Sequence, residues 1–331
     1  MTPVFKLPFE IPTPKCDAVS AFPYGAIKGH FGSAFYGWLF GKMVNCSFTP
    51  HSTDNKYNIS LTGNWAEGSG VTYRQLINLS KDVLLSTFHD LSAMLQKILC
   101  ANTYITLSFP AHSQVVSPCS QARLTDLLIY GYNTIEMLFY VASIDNQYRL
   151  EMYEIEQTHL TSIIMNFPAQ TIPLELRTFT DNYQIKPSLG WMQKELRDYL
   201  LSQNTIPHLD NKNIYGIAAQ EALSQYILQT TNTIITSDLL YMYRFIEHKT
   251  LMAERVHGLY KMEVCPEEIY NLSEHISLLA NELVLPSFGD ELSVAHATNF
   301  ASTVHAITTI ELSCYPLLLD CISKALPLRN Q

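Results

Sequence analysis

Apolar positions change their period several times along the chain, and each change marks a different kind of element. Residues 17–44 are rich in Ala, Phe, Tyr, Gly and Trp with one break at Pro23, which predicts one or two packed helices behind an extended leading strand. Asp17 is placed to cap the first of them. Residues 46–72 read as short strands and turns. Over 72–100 the apolar residues, among them Leu76, Ile77, Phe88, Leu91, Leu95 and Ile98, recur at helical spacing and predict a helix or a broken pair. The period then falls to two. Residues 104–109 and 148–155 alternate, and 127–132 and 137–142 are continuous apolar runs, so three or four antiparallel strands are expected. Asn133 and Thr134 suit a tight hairpin between the two middle runs.

Residues 168–187, with Pro168, Pro173 and Pro187, read as a loop-rich connector. The helical period returns over 191–202, 217–229, 237–262, 266–282 and from 291 to the Pro316 region, with Thr236, Ser237 and Asp238 supplying capping oxygens to the third of these. The expected class is therefore α+β. Residues 1–167 form a domain with an antiparallel sheet, and residues 188–331 form an all-helical C-terminal domain.

Composition narrows the classes of function. A chain of 331 residues, 47% hydrophobic and 15% charged, can fill real cores. Its formal charge of -9, without a run of five like charges, argues against a nucleic-acid partner, because neutralising phosphates requires a concentrated basic surface. The first residues lack the basic start and apolar stretch of a signal peptide, and no later run reaches the ~18 apolar residues that cross a bilayer, so a cytoplasmic protein without a membrane partner is expected. Seven cysteines without a Cys-x-x-Cys pair point to neither a disulfide framework nor a zinc site, and no metal is expected. Gly-rich phosphate loops, His-Glu-x-x-His and Gly-x-Ser-x-Gly do not occur.

The run Leu124-Thr125-Asp126-Leu127-Leu128-Ile129-Tyr130-Gly131-Tyr132-Asn133, followed by Phe139-Tyr140-Val141, resembles the central hairpin of papain-like folds. Similar strands occur in the butirosin-biosynthesis acyltransferase-like family of antibiotic clusters. Cys16 before the first helix, and Glu247-His248-Lys249 with Met252 and Arg255, extend the resemblance over most of the chain. It implies a papain-like N-terminal domain and acyl transfer without ATP. A cysteine at a helix N-terminus, its pKa lowered by the dipole, would attack a thioester on a phosphopantetheine arm of an acyl or peptidyl carrier protein. The acyl group would then pass to a small-molecule amine, with a His moving the proton and an Asp or Asn orienting that His. No cofactor beyond the phosphopantetheine-linked acyl donor is implied.

The sequence departs from that pattern at three places. Thr125 stands where the hairpin His belongs and Ser143 where the orienting acid belongs, and neither is a base near neutral pH. Asp145, two residues on, is a shifted candidate for the acid. Glu10 occupies the place of the oxyanion-donating Gln. Cys16 reads as a nucleophile, with a buried structural thiol as the alternative. His112 reads as a base swung in from a loop, with a solvated loop His as the alternative, and His30 is a weaker candidate. In the helical part Arg244, His248 and Arg255 fall on one helix face with Leu251. They are expected to line a groove between the domains and bind a phosphate or carboxylate, unless Glu247 and Glu254 pair with them on the surface.

Two readings follow. The first is thioester-dependent amide formation through a Cys16 acyl-enzyme in specialised-metabolite biosynthesis. The second is a non-catalytic papain-like protein that binds a carrier protein or acyl substrate and assists a partner enzyme. A peptidase is disfavoured for want of a base. The sequence leaves a homodimer open.

Overall fold

A computed structural model describes residues 3–13, 18–40, 42, 44–50, 57–62, 72–80, 91–109, 115–116, 123–146, 149–167, 171–179, 184–205, 213–229, 240–283, 285 and 292–329. The class is α+β, and the chain divides into two compact units. One comprises Met1–Ser33 and Ala66–Gln184, and the other Ala34–Trp65 and Ile185–Gln331. This corrects the simple division at 167/188, because residues 34–65 fold with the helical part rather than with the sheet.

The first unit is built on a seven-stranded antiparallel sheet. Its strands are β1 (Val4–Lys6), β4 (Thr72–Ser80), β5 (Thr103–Ser108), β6 (Leu124–Asn133), β7 (Leu138–Asp145), β8 (Leu150–Glu156) and β9 (Thr171–Phe179), in the order β4-β9-β5-β6-β7-β8. Strand β1 pairs with the far end of β6, Val4 opposite Asn133. The β6–β7 turn forms where Asn133 Oδ1 accepts from the amides of Ile135 and Glu136, and Met137 closes it at φ 58°. Helices α3 (Leu91–Cys100) and α4 (Gln157–Met165) pack on the β5–β8 strands and meet through Ser92 and Gln157. Helix α1 (Ala18–Phe31) passes through Pro23 without ending. Phe9 stacks on Tyr130 of β6 and lies against Gly25 and Gly29, where a Cβ would collide with Phe9 and Pro8.

Two expectations for this unit are overturned. Residues 72–80 are a strand, not a helix. Their Thr, Tyr and Ile content suits a pleated ribbon, and nine residues of pairing with β9 outweigh the helical spacing of Leu76 and Ile77. Residues 171–179, expected in the connector, form β9 between β4 and β5. Pro173 is tolerated there because pairing with β5 begins only at Leu174.

The second unit is mostly helical: α2 (Phe35–Leu39), α5 (Leu189–Leu200), α6 (Gly216–Gln229), α7 (Leu240–Lys261), α8 (Glu267–Asn281) and α9 (Val294–Arg329). It also holds a three-stranded antiparallel sheet of β2 (Asn45–Pro50), β3 (Tyr57–Thr62) and β10 (Ile214–Tyr215), in the order β10-β2-β3. The expectation of an all-helical C-terminal domain is corrected accordingly. Helix α9 continues beyond Pro316 and is long and apolar enough to cross a membrane by length and composition. In the structure it packs against α5, α6 and α8. The capping residues 236–238 lie outside the described residues.

Candidate functional site

The hairpin of β6 and β7 holds two of the expected site residues, Thr125 and Asp145. Leu124 pairs with Asp145 and Asp126 with Ile144, so the register shifts at Thr125 and leaves it in a bulge beside Asp145. Ser143 lies further along β7, opposite Leu127. The residue next to the expected base position is thus Asp145 and not Ser143.

Both polar groups at this place are engaged. Thr125 Oγ1 donates to the Ile144 carbonyl at 3.0 Å, and its own carbonyl accepts from the Phe109 amide at 2.7 Å. The Asp145 carboxylate is buried and receives the Arg149 amide on Oδ1 at 3.1 Å and Arg149 Nε on Oδ2 at 2.9 Å. The Asp145 amide bonds back to the Arg149 carbonyl at 3.2 Å, so the carboxylate ties the β7–β8 turn together. Cys16 and His112 lie outside the described residues.

In the helical unit the face of Arg244, His248 and Arg255 is not an open ligand surface. Arg244 is half-buried, whereas His248 and Arg255 are fully enclosed. Arg255 Nε donates to the Leu39 carbonyl at 3.2 Å and Nη2 to that of Lys42, while His248 Nε2 bonds the Val44 carbonyl at 2.9 Å. From α5, Glu195 accepts the Val44 amide at 3.2 Å and Trp191 Nε1 at 2.5 Å. Lys42 and Val44, between α2 and β2, are buried, and these side chains satisfy backbone polar groups of Leu39, Lys42 and Val44. Burial, with Lys249 and Arg255 close by, pushes the His248 pKa well below the ordinary imidazole value, so the ring is neutral and donates to Val44. Burial raises the Glu195 carboxyl, and its bonds to Trp191 and Val44 oppose that rise. Of the three residues expected to bind a phosphate or carboxylate, His248 and Arg255 thus hold buried backbone carbonyls instead, as a backbone clasp.

Beside the clasp lies a polar cluster that sequence reading missed. Lys249 Nζ donates to Tyr199 Oη at 2.8 Å, Gln220 Oε1 at 2.6 Å and Glu311 Oε1 at 2.7 Å. Glu311 Oε2 accepts from Tyr199 Oη at 2.7 Å and Gln220 Nε2 at 2.8 Å, and Gln220 Nε2 also donates to Thr308 Oγ1 at 2.9 Å. The pair is fully buried and joins α5, α6, α7 and α9. One signal was available: Glu311 is the single Asp, Glu, Lys or Arg between Val294 and Leu319, and a lone carboxylate in so apolar a helix needs an internal partner. Cys46 adjoins the cluster, donating to the Gly216 carbonyl at 3.4 Å, and burial pushes its pKa up to about 12. Gly216 itself sits at φ 59° against the Tyr199 carbonyl, a place no side chain could share.

Compared with protein-family models, curated proteins and solved structures, the chain matches none of them.

Proposed function

We propose that this chain is a non-catalytic papain-like protein that binds an acyl group or its carrier and assists a partner enzyme, in place of forming a Cys16 acyl-enzyme. One observation carries the choice between the two readings. The position where the family resemblance calls for a base holds the Thr125 hydroxyl, bonded to the Ile144 carbonyl, and the neighbouring Asp145 carboxylate ties the β7–β8 turn. A threonine so placed neither accepts a proton near neutral pH nor leaves Asp145 an imidazole to orient. The binding half of the reading rests on the sequence resemblance.

Incubation with an acyl-pantetheine thioester separates the readings. The expected result is no acyl mass increment on either wild type or Cys16→Ala, together with a heat of binding for the same thioester by calorimetry. An acyl adduct that Cys16→Ala loses would overturn the proposal in favour of the acyltransferase. Absence of both adduct and binding heat would overturn the acyl-binding role.

A further inference from the structure

Three of the described cysteines gather where the corner between α7 and α8 packs on α9. Cys265 stands just before α8, 6% exposed, with its sulfur directed at the Val256 carbonyl of α7 at 3.7 Å. Cys314 is fully enclosed, and its sulfur faces the Ile269 carbonyl in the first turn of α8 at 3.9 Å. Cys321 lies two turns further along α9 on the same face and is half-buried.

Two observations set Cys265 between the two α9 sulfurs. Its thiol is pushed up to about 12 by burial first and then by Cys321 and Cys314, which are both within electrostatic reach. The spacing agrees. By helical rise Cys321 is about 10.5 Å along α9 from Cys314, while Cys265 is about 6 Å back along the chain from Ile269, the residue that Cys314 faces. Cys314 and Cys321 are too far apart to bond each other, since a disulfide needs Cα atoms within about 7 Å. Cys265 is therefore the common partner, and access decides which of the two it takes. Cys314 is sealed from solvent. Cys321 is partly exposed, and Lys324, although paired with Asp320, lies within electrostatic reach of its sulfur. A partly exposed thiol beside a cation is the kind that is oxidised first.

We propose that Cys321 and Cys265 form an oxidation-responsive pair: a peroxide oxidises Cys321, and Cys265 then closes a disulfide that fastens the α7–α8 corner to α9. Hydrogen peroxide gives one oxygen to the Cys321 sulfur, its O–O bond breaks, and a sulfenic acid and one water result. The Cys265 sulfur displaces that oxygen, so that an S–S bond replaces the S–O bond and the oxygen leaves with the Cys265 proton as a second water. Two thiols and one peroxide thus become one disulfide and two waters, and an external dithiol reverses the change. Joining residues 265 and 321 restricts the unfolded chain, so the oxidised protein is harder to unfold.

The test uses the full chain carrying Cys100→Ser, which removes the exposed thiol. Reduced protein is treated with a few equivalents of hydrogen peroxide near neutral pH, quenched with N-ethylmaleimide and cut after glutamates. Cleavage at Glu263, Glu267 and Glu311 puts Cys265 on one peptide and Cys314 with Cys321 on another, where fragmentation at Pro316 tells them apart. The expected product is a linked Cys265–Cys321 peptide that dithiothreitol splits. It should persist in Cys314→Ser and vanish in both Cys265→Ser and Cys321→Ser. Cys265→Ser should instead accumulate a Cys321 sulfenic acid that dimedone labels. Oxidised protein should unfold at higher urea than reduced protein, and dithiothreitol should cancel the difference. A Cys265–Cys314 link, or a link that forms only in urea, overturns the pairing. So does a Cys321 that peroxide leaves unlinked, whether as thiol or as sulfinic acid. A link that leaves the urea midpoint unchanged overturns the fastening.

Discussion

Neutralising Glu311 while keeping its shape is the most direct perturbation of the helical unit. In Glu311→Gln the Lys249 ammonium keeps Tyr199 and Gln220 as neighbours but loses its countercharge in a fully buried site. Removing one member of such a pair costs about 3–5 kcal/mol, because the remaining charge stays buried without compensation. For a unit of this size each kcal/mol shifts the melting temperature by roughly 2–4 °C, so a fall of roughly 6–20 °C is expected. Thermal unfolding followed at the helical circular-dichroism band measures it. The double variant Lys249→Met/Glu311→Leu removes both charges and should recover most of that loss, since an apolar pair of similar volume often matches or exceeds a buried ion pair. A Glu311→Gln variant within about 1 kcal/mol of wild type would refute the reasoning, as would a double variant whose loss equals the sum of the single losses.

Two further outcomes follow from the same unit. Because the folded pKa of His248 lies well below the ordinary 6.5, the unfolded chain binds the extra proton first, so stability should fall as pH drops below about 6.5, with a slope of up to ~1.4 kcal/mol per pH unit. His248→Gln should lack that component in urea titrations at stepped pH, while Glu195, whose raised carboxyl acts in the opposite sense, is common to both proteins; equal slopes would remove the assignment. In native protein at pH 8, peptide-level alkylation should, among the described cysteines, label exposed Cys100 first and spare Cys46, Cys265 and Cys314, whose thiols burial pushes up to about 12, 12 and 11. Early labelling of Cys46 would show that the core around Lys249 opens.

Much of the sheet was legible because the alternation at 104–109 and the apolar runs flanking Asn133 are local signals, and the strands β5 to β8 follow them closely. Strands β4 and β9 were not legible. Leu76 and Ile77 fit a helix as well as a strand, and only the pairing of β4 with β9, about a hundred residues away, decides between them. The helices of the second half, apart from α9, were read nearly to their ends, since each carries a periodic apolar stripe, whereas α9 runs on past Pro316 to Arg329. What spacing could not reveal was the use of His248 and Arg255. A shared helix face says that two side chains point the same way, not that the carbonyls of Leu39, Lys42 and Val44 wait for them. The bulge at Thr125 was equally hidden, because strand register depends on the partner strand.

The clasp on Leu39, Lys42 and Val44 joins groups 204 to 216 positions apart in the chain. During synthesis at 5–20 residues per second, Leu39, Lys42 and Val44 emerge roughly 10–40 s before His248 and Arg255. The strands of the first unit, complete at Phe179, leave the ribosome within that interval, while β2 and β3 have neither β10 nor α7 to rest on. The excursion of residues 34–65 thus imposes a folding schedule. A chain stalled before β10 exposes a two-stranded ribbon with an unpaired edge, a ready template for pairing with another chain and so for aggregation.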